Sequence, residues 1–283
     1  MDQNELESTL TDDQNDVQIL PTGAYPGVKS LFRLFFAFVF YTIGWGIAGG
    51  FFLMDTRLSN SPLLRSFLNL LLYVISLLLT IRYAIKKSKK QQISPFNLSF
   101  NKIQSWLVPV VIICTIALSV GLEGVSDLIP MPVSVQKLFE RVFTKDIFSL
   151  ITLIIAAPIL EEILCRGIVL KGLLKNYSPN KAILISAIFF SVLHLNPWQA
   201  LPAFCGGLFL GWVFYKTRSI IPGILIHATV NSTAALFLFL PKHQQSYLDL
   251  LGSSYYTVLL LFSALVFVFG CLLIHRKGSP VSG

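Results

Sequence analysis

Charge is scarce in this chain. Asp, Glu, Lys and Arg make up 13% of its 283 residues, about half the share found in soluble domains. That shortage excludes an ordinary water-soluble globule. Cysteine is sparse too. Cys114, Cys165, Cys205 and Cys271 each lie in an apolar stretch with no ligand-like spacing, which excludes a disulfide framework and a thiolate metal site; they read as small buried hydrophobes. No internal repeat is found, so an inverted-repeat transporter has no sequence support. No basic stretch precedes an early apolar run, and no secretory leader is expected.

What fills the chain instead is apolar. Hydrophobic residues make up 54%, and the mean hydropathy is +0.70. The expected fold class is all-α, a polytopic membrane helix bundle of about eight transmembrane helices. The expected spans are Leu31–Met54, Leu63–Ile85, Trp106–Leu122, Ile147–Leu174, Lys181–His194, Ala200–Tyr215, Ile220–Leu240 and Tyr255–Ile274. Residues 1–28 are polar and acidic and read as a disordered tail. Residues 29–278 form one membrane-embedded domain with its motif core at 149–240, and 279–283 are a short tail. Ser134–Phe143 places Val135, Leu138, Phe139 and Val142 at helical spacing, which suits an amphipathic helix at the interface.

The formal charge of +8 does not point to nucleic acid, because the basic residues are scattered through short loops. They read as topology signals. With eight spans, fourteen loop Lys and Arg fall on one side and six on the other. The positive-inside rule then places both termini in the cytoplasm.

Against this background one stretch stands out: Ala157-Pro158-Ile159-Leu160-Glu161-Glu162-Ile163-Leu164-Cys165-Arg166. A charge at bilayer depth costs about 2.5–3.5 kcal/mol on insertion scales. On a helix Glu162 and Arg166 are four apart, acid first, which favours an ion pair. Glu161 points about 100° away and is left for another partner.

Histidine supplies the candidates. His243 and His275 lie among basic residues near span ends and read as interfacial. His194 closes Phe190-Ser191-Val192-Leu193-His194, and His227 and Asn231 share a helical face. At 1.5 Å per residue, Glu161, His194 and Asn231 each lie roughly 20 Å above their nearest common-side loop, and His227 roughly 13 Å. A carboxylate, two imidazoles and a carboxamide at one level are the make-up of a hydrolytic centre.

The motifs Glu161-Glu162-x-x-x-Arg166, Phe190-x-x-x-His194 and His227-x-x-x-Asn231 follow one another on successive helices. This order and spacing resembles the type II CAAX prenyl endopeptidase family, also called CPBP, whose bacterial members include bacteriocin-immunity proteins. The resemblance spans roughly Ser149–Leu240. It implies an eight-helix intramembrane protease that cuts a peptide bond in a membrane-associated or lipidated substrate. It assigns Glu161 to water activation with help from His194, and His227 and Asn231 to the oxyanion. Glu162, Arg166 and Phe190 match supporting positions. A carboxylate withdrawn from water is a better base than a hydrated one, and donors fixed in a dry site stabilise an oxyanion strongly. Glu161, His194, His227 and Asn231 are also the set that would hold zinc with an open position for water. There is no His-Glu-x-x-His helix and Asn is a poor zinc ligand, so the reading leans to a metal-free site. Two alternatives stay open: a non-catalytic scaffold or immunity protein of the same fold, and an ion-coupled transporter, which would need a continuous polar path across the membrane.

Overall fold

The computed structural model describes residues 24–53, 61–91, 97–126, 128–142 and 144–277. Most of the expected acidic tail and all of the short C-terminal tail lie outside the described residues. Among them every regular element is a helix. In chain order these are α1 (Val28–Leu53), α2 (Pro62–Gln91), α3 (Leu107–Ser126) and α4 (Val133–Val142), then α5 (Ile147–Asn176), α6 (Pro179–Val192), α7 (Pro197–Thr217) and α8 (Ile221–Leu238), then one turn of 3-10 helix (Lys242–Gln244), and finally α9 (Tyr247–Leu251) and α10 (Ser253–Lys277).

Helices stand at all eight places where spans are expected. Six of them, α1, α2, α3, α5, α8 and α10, are long and apolar enough to cross a membrane. The 14 residues of α6 reach only about 21 Å, short of a hydrocarbon core of about 30 Å. Expected boundaries also move. Asn196-Pro197 reads as a stop to the fifth span, yet it starts the next helix: the Asn196 side chain accepts from Gln199 N at 2.9 Å as an N-cap, and Pro197 follows at the first position. His194 consequently lies in the turn between α6 and α7 and not in a helix.

The bundle buries large and small residues alike inside, among them Leu34, Leu77, Leu164 and Phe214, and presents further large apolar ones outside. Phe32, Phe36 and Phe40 on α1 and Val258, Leu261, Phe262 and Leu265 on α10 are exposed, as suits a lipid-facing surface where no aqueous shell has to be made. Close packing comes from glycine. A Cβ on Gly207 would meet Ala187 and Phe190 at 3.3 Å, and one on Gly211 would meet Ile183 at 3.1 Å, so the four-residue glycine spacing sets α7 directly on α6. The chain is an integral, multi-pass membrane protein.

Hydrogen bonds tie each end of the bundle. At one end Asn176 holds Ala24 through both its amide atoms, at 2.9 and 2.6 Å. There Lys171 also donates to Asn97 O at 2.8 Å and Ser219 Oγ to Asn101 O at 2.7 Å. At the other end Ser66 donates to Asp146 at 2.6 Å, Trp198 to Pro130 O at 3.1 Å, and the Tyr247 and Leu248 N–H groups to Glu123 at 2.7 and 3.0 Å.

Helix α5 is irregular where the acidic motif lies. Thr152–Ala156 and Ile163–Leu170 are π-helical, and Ala157–Glu162 between them is α-helical. In the first π turn Ala157 N–H bonds Thr152 O. The next bond in that register would run from residue 158 to Leu153 O, but residue 158 is proline and has no N–H. The Leu153 carbonyl is thereby released, and a side chain from α8 takes it up.

Candidate active site

The site is built around Glu162. Its carboxylate and the Arg166 guanidinium are both fully buried and meet at 2.8 Å, the four-residue pair that the spacing predicts. His227 Nδ1 lies 3.3 Å from the same oxygen, Oε1. Arg166 Nη2 donates to Gly207 O at 3.3 Å, so α5, α7 and α8 converge on one buried pair. The Phe190 ring completes the group. Arg166 Cζ sits 4.5 Å over its face, a cation–π contact. His194 and His227 meet it edge-on at 5.1 and 5.6 Å. The residue expected only to support the site therefore touches both histidines and the arginine.

Gly223 was not singled out by the sequence, yet the site needs it small. A Cβ there would lie 2.7 Å from Glu162 Oε2. The signal was present in the spacing, because Gly223 is four residues before His227 on the same face of α8.

The two histidines are held by Nδ1. His194 Nδ1 is 3.0 Å from Phe190 O, and a carbonyl only accepts, so Nδ1 carries the proton and Nε2 is left with its lone pair when the ring is neutral. His227 directs Nδ1 at a carboxylate, and Nε2 is again the remaining nitrogen. Asn231 Nδ2 donates to the released Leu153 carbonyl at 2.7 Å. An amide nitrogen has two hydrogens, and one N–H remains.

Phe190, His194, His227 and Asn231 line one cavity of about 980 Å³, together with Gln136 and Glu140 of α4 and Lys145 at the start of α5. The amphipathic helix expected at 134–143 is present and forms part of this wall. Glu161 is not part of the lining. It is half-buried and turned toward α2, where Tyr73 Oη donates to its Oε1 at 2.5 Å. Its Oε2 is buried without a hydrogen-bond partner. Among the described residues no direct hydrogen bond joins Glu161 to His194. The 100° step that separates Glu161 from Glu162 also aims it at a different neighbour.

The zinc alternative would gather Glu161, His194, His227 and Asn231 around one point. Among the described residues no three His, Cys, Asp or Glu side chains come close enough to hold an ion. Glu161 faces α2, while both histidines place Nδ1 on protein partners and keep Nε2, the nitrogen a metal would take.

Two comparisons find nothing: no curated protein and no solved structure matches the chain. The third does. Residues 143–233 match the model of a family described as Rce1-like, type II CAAX prenyl endopeptidase Rce1-like. The match covers less than half of the chain but contains all three motifs. The family resemblance carried by those motifs therefore holds over this stretch, and the family is one of proteases.

Proposed function

We propose that the chain is an intramembrane endopeptidase that hydrolyses a peptide bond in a membrane-associated or lipidated peptide. The observation that carries this is the shared cavity. One space is lined by a histidine with a free Nε2, a second histidine and an anchored carboxamide. Those are the parts needed to orient water and to receive a developing oxyanion.

In the proposed reaction a water oxygen attacks the scissile carbonyl carbon. Glu161 Oε2, buried and outside the cavity lining in this structure, takes the proton of a water that enters from the cavity, and His194 Nε2 accepts the other hydrogen bond from that water. A water serving both would lie between them. The carbonyl's π electrons move to its oxygen, which receives the second N–H of Asn231 and, when its ring carries both protons, Nε2–H of His227. Collapse of the tetrahedral species breaks the C–N bond, and the proton held by Glu161 passes to the leaving nitrogen. The Glu162–Arg166 pair takes no proton. It fixes His227 through Nδ1.

The positive-inside count supports placing both termini in the cytoplasm. On that assignment the end bearing Asn176 faces the cytoplasm and the α4 end faces away.

The test is cleavage of lipidated and unmodified peptides by purified protein in liposomes, wild type against Glu161→Gln, with and without a chelator. Turnover by wild type and only a small residual rate in Glu161→Gln is the expected result. Equal turnover by both would remove Glu161 as the base. Loss of wild-type activity on chelation would overturn the metal-free reading.

A further inference from the structure

Tyr73 belongs to α2, outside the stretch that matches the protease family. Its hydroxyl meets Glu161 Oε1 at 2.5 Å across 88 residues of chain. A phenol can donate to a carboxylate oxygen, and the other carboxylate oxygen is buried without a partner. The contact is braced. Ser66 and Tyr73 are seven apart, two turns along one face of α2. Ser66 bonds Asp146 at the start of α5 at 2.6 Å, and the Phe67 and Phe148 rings pair at 5.1 Å. Helix α2 is thus fastened to α5 at its end and reaches the middle of α5 with a single polar group.

We infer that Tyr73 is a positioning residue for the reaction: it fixes the Glu161 carboxylate so that Oε2 alone is presented as the proton acceptor. This rests on Glu161 being the base. A carboxylate has two equivalent oxygens and a free terminal torsion. With Oε1 accepting from a donor, rotation is restrained, and Oε2 is the oxygen with both lone pairs free. Removing the hydroxyl leaves the carboxylate in place but lets it turn, so the defect falls on the chemical step and not on substrate binding.

The experiment compares wild type, Tyr73→Phe, Glu161→Gln and the double variant in kcat, KM and thermal midpoint. Tyr73→Phe deletes one oxygen and keeps the ring. The expected result is a fall in kcat of about 10–100-fold, the range of a hydrogen bond to a charged group. KM should stay within about twofold, and Tyr73→Phe should add no further loss to the residual rate of Glu161→Gln. Normal kcat in Tyr73→Phe beside an inactive Glu161→Gln would overturn the inference and leave the endopeptidase reading standing. A Tyr73→Phe defect that multiplies with that of Glu161→Gln would also overturn it, because the hydroxyl would then act elsewhere. Full turnover by Glu161→Gln would sink both together. Tyr73→Leu gives a second reading: a merely structural tyrosine would lower its thermal midpoint while Tyr73→Phe kept normal kcat.

Discussion

Asn231 Nδ2 donates to the backbone carbonyl of Leu153 at 2.7 Å, which joins a candidate oxyanion donor to the irregular turn that Pro158 creates. The carboxamide thus does two things. It satisfies a carbonyl that the helix has abandoned, and it is oriented by doing so. Asn231→Ala is expected to lower kcat by about 10²–10³-fold, the usual effect of deleting one oxyanion donor, with little change in KM. Asn231→Asp should be at least as damaging, because a carboxylate repels both the oxyanion and the Leu153 oxygen. Steady-state kinetics of both variants across a zinc titration checks this. Activity of the Asp variant that rises with zinc would contradict it.

Pro158→Ala restores an N–H opposite Leu153 O. Asn231→Ala should therefore destabilise the Pro158→Ala protein less than it destabilises the wild type, where an orphaned carbonyl costs about 1–3 kcal/mol. A thermodynamic cycle of the four proteins measures the difference. Equal costs in the two backgrounds would mean that the proline does not release this carbonyl.

Arg166→Ala leaves Glu162 buried with only His227 beside it. Orphaning one partner of a buried pair costs about 3–5 kcal/mol, so this variant should be the least stable at the site. Glu162→Gln with Arg166→Met should be better folded than Arg166→Ala, because neither charge is then stranded. Denaturation in detergent ranks them, and the opposite order would deny the pair its role.

Gly223→Ala places a methyl 2.7 Å from Glu162 Oε2. A mobile carboxylate would swing away at little cost, but this one is pinned by Arg166 and His227. The expected cost is about 1–3 kcal/mol of overpacking together with a loss of turnover as His227 shifts. In a Glu162→Ala background the same change should cost much less stability. Equal costs would show that the glycine is needed for some other contact.

Asp146 caps α5, accepting from Phe148 N at 2.9 Å and Ser149 N at 3.2 Å. Burial pushes its pKa up, but hydrogen bonds from Ser66, Thr144, Ser149 and Phe148 outweigh that and hold it at about 2. A carboxyl depressed in the folded state contributes stability above its unfolded value near 3.9, and that contribution is lost as pH falls toward about 2. Asp146→Ala should cost about 1 kcal/mol at neutral pH. The gap between variant and wild type should close between about pH 4 and pH 2. A gap constant over that window would contradict the assignment.

The sequence made the buried pair legible because a helix fixes what lies four residues away. Glu162 and Arg166 needed only that rule, and His227 and Asn231 needed it again. The partner of Glu161 was not legible. Depth along each helix placed it level with His194, but depth says nothing about which way a side chain points around the axis. Tyr73 carries no local signal either: one tyrosine in an apolar run is ordinary, and only the packing of α2 on α5 gives it a partner. No periodicity announces the two π turns, and Pro158 bears only on the first. The length of α6 was obscured by a cap. Asn196-Pro197 reads as the end of one helix but begins the next, and α6 has already ended at Val192.

Glu162 and Arg166 lie within five residues of one another on a single helix, and Tyr73 is made long before either. A chain emerging from the ribosome therefore meets these partners in a set order. Helix α5 can enter the bilayer with its arginine already neutralised from within, and its other acid finds a donor on a helix inserted earlier. Neither carboxylate has to wait for α8 to arrive. Phe190, Gly207, His227 and Asn231 are added to a charge pair that is already tolerated by lipid, so the site is completed by late helices on a foundation laid by early ones.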